Sequence, residues 1–280
     1  MDQKIDIAPH EPRGSLQDWT DWIAAADIPV LRPSARALAE AVPRAEAVAP
    51  RELASIVLRD PLLAARLYVH VARIREGRAS ADITAIERMV VMLGVPPFLA
   101  AMEDIPTVEQ LLGHVPQALR GLLGVVRRAM HGAEIALGMA TWRNDLGYEE
   151  IREAAMLHEL AEMLAWCFAP TQMQEIARRQ AEQPTLRSAT AQRAVLGFTL
   201  IELQLSLAER WRLPRLLISM MDDQHAKKTR ERNVIVAVNI ARHAAHGWDD
   251  PALPDDWKDA AELLSTTPQQ VMHMVRGETA

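Results

Sequence analysis

Leu157-His158-Glu159-Leu160 sets an imidazole beside a carboxylate in an apolar helical stretch. A His-Asp pair on a helix, joined by a histidine from an earlier helix and an aspartate from a later one, makes a hard-cation phosphohydrolase centre. Imidazole holds the metal there, and short carboxylates keep its geometry rich in oxygen. The candidate ligands in this chain are His131 upstream, His158 with Glu159 in the middle, His225 further on, and Asn239 where the last acid is wanted. Both aspartates are missing. Glu159 is a methylene longer than aspartate and pushes a bound cation outward unless the backbone shifts, while Asn239 offers a neutral carbonyl oxygen. With a single acid, little basicity remains to activate a water. The expectation is a degenerate site with no metal, no cofactor and no catalysis, its histidines kept as hydrogen-bonded core or cleft residues.

Other chemistries find less support. His158-Glu159 opens a His-Glu-x-x-His zinc signature, but Glu162 stands where the second histidine is required. No Gly-x-Ser-x-Gly elbow and no glycine-rich phosphate loop is present. Gly121, Gly124, Gly132 and Gly138 fall in one helical stretch and read as sites of close helix packing. Lys227-Lys228-Thr229-Arg230-Glu231-Arg232, taken with Asp222 and Asp223, sets four bases against three acids and reads as a solvated loop and helix start.

Composition narrows the class. Hydrophobic residues make up 49%, mostly Ala, Leu, Val and Met, and Ala and Leu head the helix propensity scale. Acids outnumber bases 37 to 31, for a net charge of -6, which disfavours bulk binding to nucleic acid. Cys167 has no second cysteine to pair with, and it reads as a buried small hydrophobe suited to a reducing cytoplasm. Met1 to Pro12 lacks an apolar core of the secretory kind, and no apolar run reaches the roughly 18–20 residues of a membrane span. A cytoplasmic protein with no membrane partner is expected.

The elements that must position the candidate ligands are helical almost throughout. Leu16, Trp19, Ile23 and Ala26 form one stripe over 15–26. Pro33 opens a helix through Val42, Pro50 another, and Asp60-Pro61 a third that runs to about Arg75. A polar loop follows over 76–81, then helix from about Thr84 to a cap at Gly94. Pro96-Pro97 predicts a break before a short helix at 98–102, and the stretch from Glu103 to Pro116 a boundary between lobes. Longer helices are expected over 118–143, 149–168, 171–182, 188–211, 214–223 and 230–246, then an acidic linker and short helices. The Met residues read as core filler. Trp19, Trp22, Trp248 and Trp257 are read chiefly the same way, with partner anchoring as the alternative. The class is all-α.

Several segments resemble the HDOD (HD-related output) domain. They are Pro29-Val30-Leu31, the run from Leu53 through Asp60-Pro61-Leu62 to Leu67, and the helix from Ile83 closing on Leu93-Gly94. Ala154 to Leu160 fills the slot of that family's His-Asp dipeptide, and Gly197, Glu202, Trp211-Arg212-Leu213-Pro214 and Gln224-His225 resemble its late section. Thr199 stands near where many relatives place a histidine. The resemblance covers about residues 28 to 245 and implies a bacterial signalling module, related to HD-type phosphohydrolases but usually without their complete metal set.

The resulting organisation is an N-terminal helical extension (1–27), an HDOD-like domain (28–246, lobes about 28–112 and 116–246) and a C-terminal acidic linker with short helices (247–280). The expected function is a non-catalytic regulatory module working through a protein partner of unknown identity, with a homo-oligomer compatible. The rivals are a metal-dependent phosphohydrolase using Glu159, and a nucleotide sensor that does not hydrolyse its ligand.

Overall fold

The computed structural model describes residues 14–75, 84–223 and 228–277. Among these residues the all-α class is confirmed: there is no strand, and the one isolated bridge pairs Val30 with Thr107. The first helices are α1 (Leu16–Ala25), α2 (Arg32–Ala41), α3 (Pro50–Val57), α4 (Pro61–Ile74), α5 (Ile86–Leu93), α6 (Val95–Ala101) and α7 (Val108–Leu112). Next come α8 (Pro116–Trp142), α9 (Tyr148–Leu157), α10 (Leu160–Phe168), α11 (Pro170–Glu182), α12 (Ser188–Leu196) and α13 (Leu200–Arg210). The chain continues through α14 (Arg215–Met220), α15 (Thr229–Ala244), α16 (Leu253–Leu264) and α17 (Pro268–Arg276).

Helix α8, 27 residues and about 40 Å long, is the axis on which α9, α10 and α15 pack. Gly132 faces α15, where an added Cβ would make ordinary van der Waals contact with the Ala241 Cβ at 3.5 Å and the Val238 Cα at 3.6 Å, so the approach does not require glycine. Gly121 does make room for a neighbour, since a Cβ there would meet the Trp166 ring at 2.6 Å, whereas Gly124 and Gly138 have nothing within 4 Å and serve no packing role. Buried side chains from Trp19 to Val271 form one connected cluster. Asp60 joins its early parts. One carboxylate oxygen accepts from the Leu62 and Leu63 amides at 3.0 and 3.2 Å and caps α4, and the other accepts from Leu31 at 2.8 Å.

Several expected boundaries move. Pro96 and Pro97 lie inside the first turn of α6, where proline costs no hydrogen bond, and the break falls at Gly94 with φ of 79°. The helix expected over 188–211 divides at Gly197 (φ 89°), after which Thr199 caps α13 and shares a capping box with Glu202. The helix expected over 149–168 divides at His158-Glu159. Trp19 is buried and packs edge-on against Trp22 and Phe198, and the partly buried Trp22 packs edge-on against Phe168. The polar loop expected at 76–81 lies outside the described residues. No helix among the described residues is long and apolar enough to cross a membrane.

A buried acid ties α4 to α9 and to the start of α5. Tyr68 Oη lies 2.5 Å from the Thr84 carbonyl oxygen and 2.5 Å from Glu153 Oε2. One hydroxyl hydrogen serves one of those acceptors, so the count closes when Glu153 is protonated and donates to Tyr68, which donates to Thr84. The Ile86 amide donates to the other Glu153 oxygen at 2.9 Å. Burial pushes the Glu153 carboxyl up from 4.5 to about 8, and the bond from the Ile86 amide offsets only part of that. Its folded value therefore exceeds its unfolded one. The stability it contributes is full below about 4.5 and is lost as the pH rises to about 8. Urea denaturation of the parent and Glu153→Gln from pH 5 to 9 checks this. The parent is expected to lose up to roughly 1.4 kcal/mol per pH unit relative to the variant, and parallel profiles refute the protonated acid.

Candidate functional site

His158 and Glu159 occupy the gap between α9 and α10, where the chain leaves the helical path for a single residue at Glu159 (φ -106°, ψ 24°). A gap inside a packed core strands a carbonyl on one side and an amide on the other. Gln204 on α13 satisfies both: its Oε1 accepts from the Ala161 amide at 2.6 Å, and its Nε2 donates to the Leu157 carbonyl at 3.0 Å. This side chain makes the gap affordable and turns Glu159 toward α8 and α15.

What meets Glu159 there is guanidinium. Arg128 Nε on α8 donates to both Glu159 oxygens, at 2.7 and 3.0 Å, and Arg128 Nη2 donates to Glu162 Oε2 at 2.9 Å. Arg242 on α15 approaches Glu159 Oε1 at 3.3 Å and also donates to Asn239 Oδ1 at 3.4 Å. Glu159 is nearly inaccessible, its side chain 5% exposed. Burial alone raises its pKa, but Arg128 and then Arg242 outweigh burial and hold the carboxyl below its ordinary value. Burial prevails at Glu162, whose pKa is raised. Arg128 loses some basicity to burial and regains more from Glu162 and Glu159, so it stays charged.

His158 completes the cluster. Its Nε2 lies 2.7 Å from Asp223 Oδ1. Burial raises the Asp223 pKa, but the bond and charge of His158 outweigh it, so the carboxylate is ionised and accepts from Nε2–H. The other ring nitrogen, Nδ1, is buried and has no hydrogen-bond partner among the described residues. Around these groups lies a cavity of about 460 Å³. Its polar lining includes Arg128, Arg242, Gln180, Gln192 and His246, and Trp166, Met173 and Ile176 line its apolar side.

The sequence-predicted ligands do not converge. His158 and Glu159 face the cavity, but the His131 ring packs edge-on to Trp248 at 6.0 Å, with Trp257 stacked behind. Asn239 supports Arg242, Thr199 caps α13, and His225 lies outside the described residues. Among the described residues no group of three or more His, Cys, Asp or Glu side chains is placed to hold a metal ion. The donor set does not fit a divalent cation, because Glu159 already accepts from two fixed positive charges. Sequence reasoning missed Arg128, Arg242 and Asp223, and it gave Glu162 no role beyond not being histidine. The first two had a signal: Arg128 precedes His131 by three residues and Arg242 follows Asn239 by three, so each shares a helix face with a candidate ligand.

Removing one partner of a buried ion pair strands the other. Arg128→Ala is expected to lower stability by about 3 kcal/mol, the low end of that range because Arg242 still faces Glu159. Adding Glu159→Gln and Glu162→Gln to it is expected to restore most of the loss. Urea denaturation at pH 7 measures both, and a single variant as stable as the parent refutes the pairing.

No curated protein matches the chain. Among solved structures it is similar to the MmoQ response regulator of Methylococcus capsulatus, with 13% identity, a TM-score of 0.67, and 90% of this chain and 99% of that one covered. It is also similar to a virulence factor of Campylobacter jejuni, with 19% identity, a TM-score of 0.64, and 95% and 93% covered. At such identities these likenesses speak to the fold alone. The HDOD domain model matches residues 28–227, well over half of the length, and the chain belongs to the HDOD family.

Proposed function

We propose that the chain is a non-catalytic bacterial signalling module that acts by presenting helical surfaces to a protein partner. The observation that carries this reading is the doubly paired Glu159, with Arg128 bound to both of its oxygens and Arg242 at 3.3 Å. A guanidinium neutralises a carboxylate as a metal does. It offers no vacant coordination position, however, and cannot generate a hydroxide from water near neutral pH. His158 is engaged through Nε2 with Asp223 at 2.7 Å. The response regulator among the similar folds agrees with a signalling role. The exposed apolar side chains of Trp142, Leu146 and Tyr148, around the turn from α8 to α9, agree with surface-mediated contact. A reducing, cytoplasmic setting suits Cys167, which is buried with its thiol pKa raised by burial.

A second reading, a nucleotide sensor that does not hydrolyse its ligand, draws on the 460 Å³ cavity and its mixed polar and apolar walls. One set of measurements separates these readings from the phosphohydrolase. Purified protein is incubated with Mg²⁺ or Mn²⁺ and with cyclic dinucleotides and nucleoside phosphates, and thermal shifts are recorded alongside. The expected result is no hydrolysis above background and no metal retained after dialysis. A ligand-dependent shift without turnover supports the sensor, and turnover that disappears in His158→Ala overturns the proposal.

A further inference from the structure

The cavity beside His158 holds polar groups that neither the ion pairs nor the gap between α9 and α10 employs. Gln180 on α11 donates from Nε2 to Ser188 Oγ at 2.9 Å, and its Oε1 makes no hydrogen bond among the described residues. Gln192 on α12 accepts from the Leu200 amide through Oε1 at 2.9 Å, and its Nε2 likewise makes none. Ser188 and Gln192 stand four residues apart on one face of α12, so the two carboxamides are neighbours along the cavity wall. Leu200 fixes the orientation of Gln192, because a flipped amide would set two N–H groups against each other. The wall therefore presents a donor beside an acceptor, both spare.

A second observation lies on α10 and just before it. Trp166 and His158 line the same cavity at 7% and 5% exposure. Trp166 Nε1 and His158 Nδ1 are buried and have no hydrogen-bond partner among the described residues. The indole nitrogen can only donate, and a buried donor left unmet is costly. Met173 and Ile176 extend the Trp166 side with apolar surface. Charge, by contrast, is already engaged: Arg128 holds Glu159 and Glu162, Arg242 lies 3.3 Å from Glu159, and Asp223 is bonded to His158. An ionic group entering here competes with those partners. A planar, uncharged group with a donor and an acceptor on its edge does not.

We propose that the cavity binds an uncharged nucleobase or nucleoside. Its ring lies along Trp166, Met173 and Ile176 with an acceptor toward the indole N–H, and an edge of adjacent N–H and C=O groups meets Gln180 Oε1 and Gln192 Nε2. The proposal rests on the sensor reading and narrows it: the base is what is recognised, and a phosphate adds nothing. At about 460 Å³ the cavity falls within the range of small-molecule sites and has room for a base and its sugar.

Isothermal titration of the full chain with inosine, 1-methylinosine, inosine monophosphate and ribose tests this. Saturable binding of inosine is expected, with the monophosphate no tighter and ribose silent. In 1-methylinosine a methyl group replaces the edge N–H, and binding is expected to weaken at least about tenfold. Gln180→Ala and Gln192→Glu are each expected to weaken inosine binding about three- to tenfold. Gln192→Glu keeps an acceptor for the Leu200 amide and adds negative charge at the start of α13, so its melting temperature is expected to equal or exceed the parent's. Lost binding is thereby separated from lost folding. The proposal is overturned by equal affinity for inosine and 1-methylinosine, or by affinity unchanged in both variants. Saturable binding of the monophosphate alone overturns it while the sensor reading stands. Absence of saturable heat with both also overturns it, and the sensor reading falls with it only if no nucleotide shifts the melting temperature.

Discussion

The guanidinium of Arg128, held between Glu159 and Glu162, is the constraint around which the centre of this molecule is arranged. Taking a carboxylate out of water costs several kcal/mol even after relaxation, so a glutamate with a 5% exposed side chain persists only with dedicated partners. Arg128 supplies a positive charge and three directed hydrogen bonds, shared between two acids on either side of the first turn of α10. Arg242 and the His158–Asp223 pair extend the set, so α8, α10, α15 and the segment after α14 meet in one network of opposed charges. A cluster built this way satisfies its buried acids with guanidinium and imidazole side chains.

Buried polar side chains do the joining elsewhere too. Gln204 bridges the free carbonyl and amide at the gap between α9 and α10, and without it the turn that aims Glu159 leaves two backbone groups unsatisfied. Asp60 fixes the start of α4 against Leu31, and Tyr68 with Glu153 fixes the start of α5 against α9. Each of these groups connects segments far apart in sequence and is satisfied by specific donors, so each specifies a register that hydrophobic burial alone leaves loose. Burial through Ala, Leu, Val and Met supplies the bulk of the stability, and the polar pins decide which helix end meets which.

Much of this fold could be read from the chain because its cues are local. Asp60-Pro61 announced a cap and a first turn, Gly94 a helix end, and Ala- and Leu-rich stripes the class. The misplaced boundaries share a cause. The gap at His158-Glu159 contains no proline or glycine and is held open by Gln204, a residue of another helix whose effect no local window contains. The Gly197 break was overlooked because an isolated glycine inside a helical pattern is often tolerated, and only the capping box at Thr199 shows that the chain restarts. At the site, a search for metal donors favours His and Asp and passes over Arg, so the residues that fill the centre were invisible to it. The spacing of Arg128 from His131 and of Arg242 from Asn239 held the information, and it needed the question of what else can neutralise a buried glutamate.

In the cleft Glu159 and Glu162 are held by Arg128 and Arg242, and Asp223 is hydrogen-bonded to His158, so a charged ligand entering there has to displace existing partners. Helix α13 serves both this cleft and a groove beside Trp211. Thr199 and Leu200 at its start line the cleft and Gln204 closes the gap that aims Glu159, while Arg210 at its end, about 16 Å away, lines the groove. The hydroxyls of Thr20 and Ser206 meet at 2.8 Å and bind its middle to α1, which forms another wall of the groove. The same helix thus joins the cleft at its start to α1 at its middle and to the segment around Trp211 at its end.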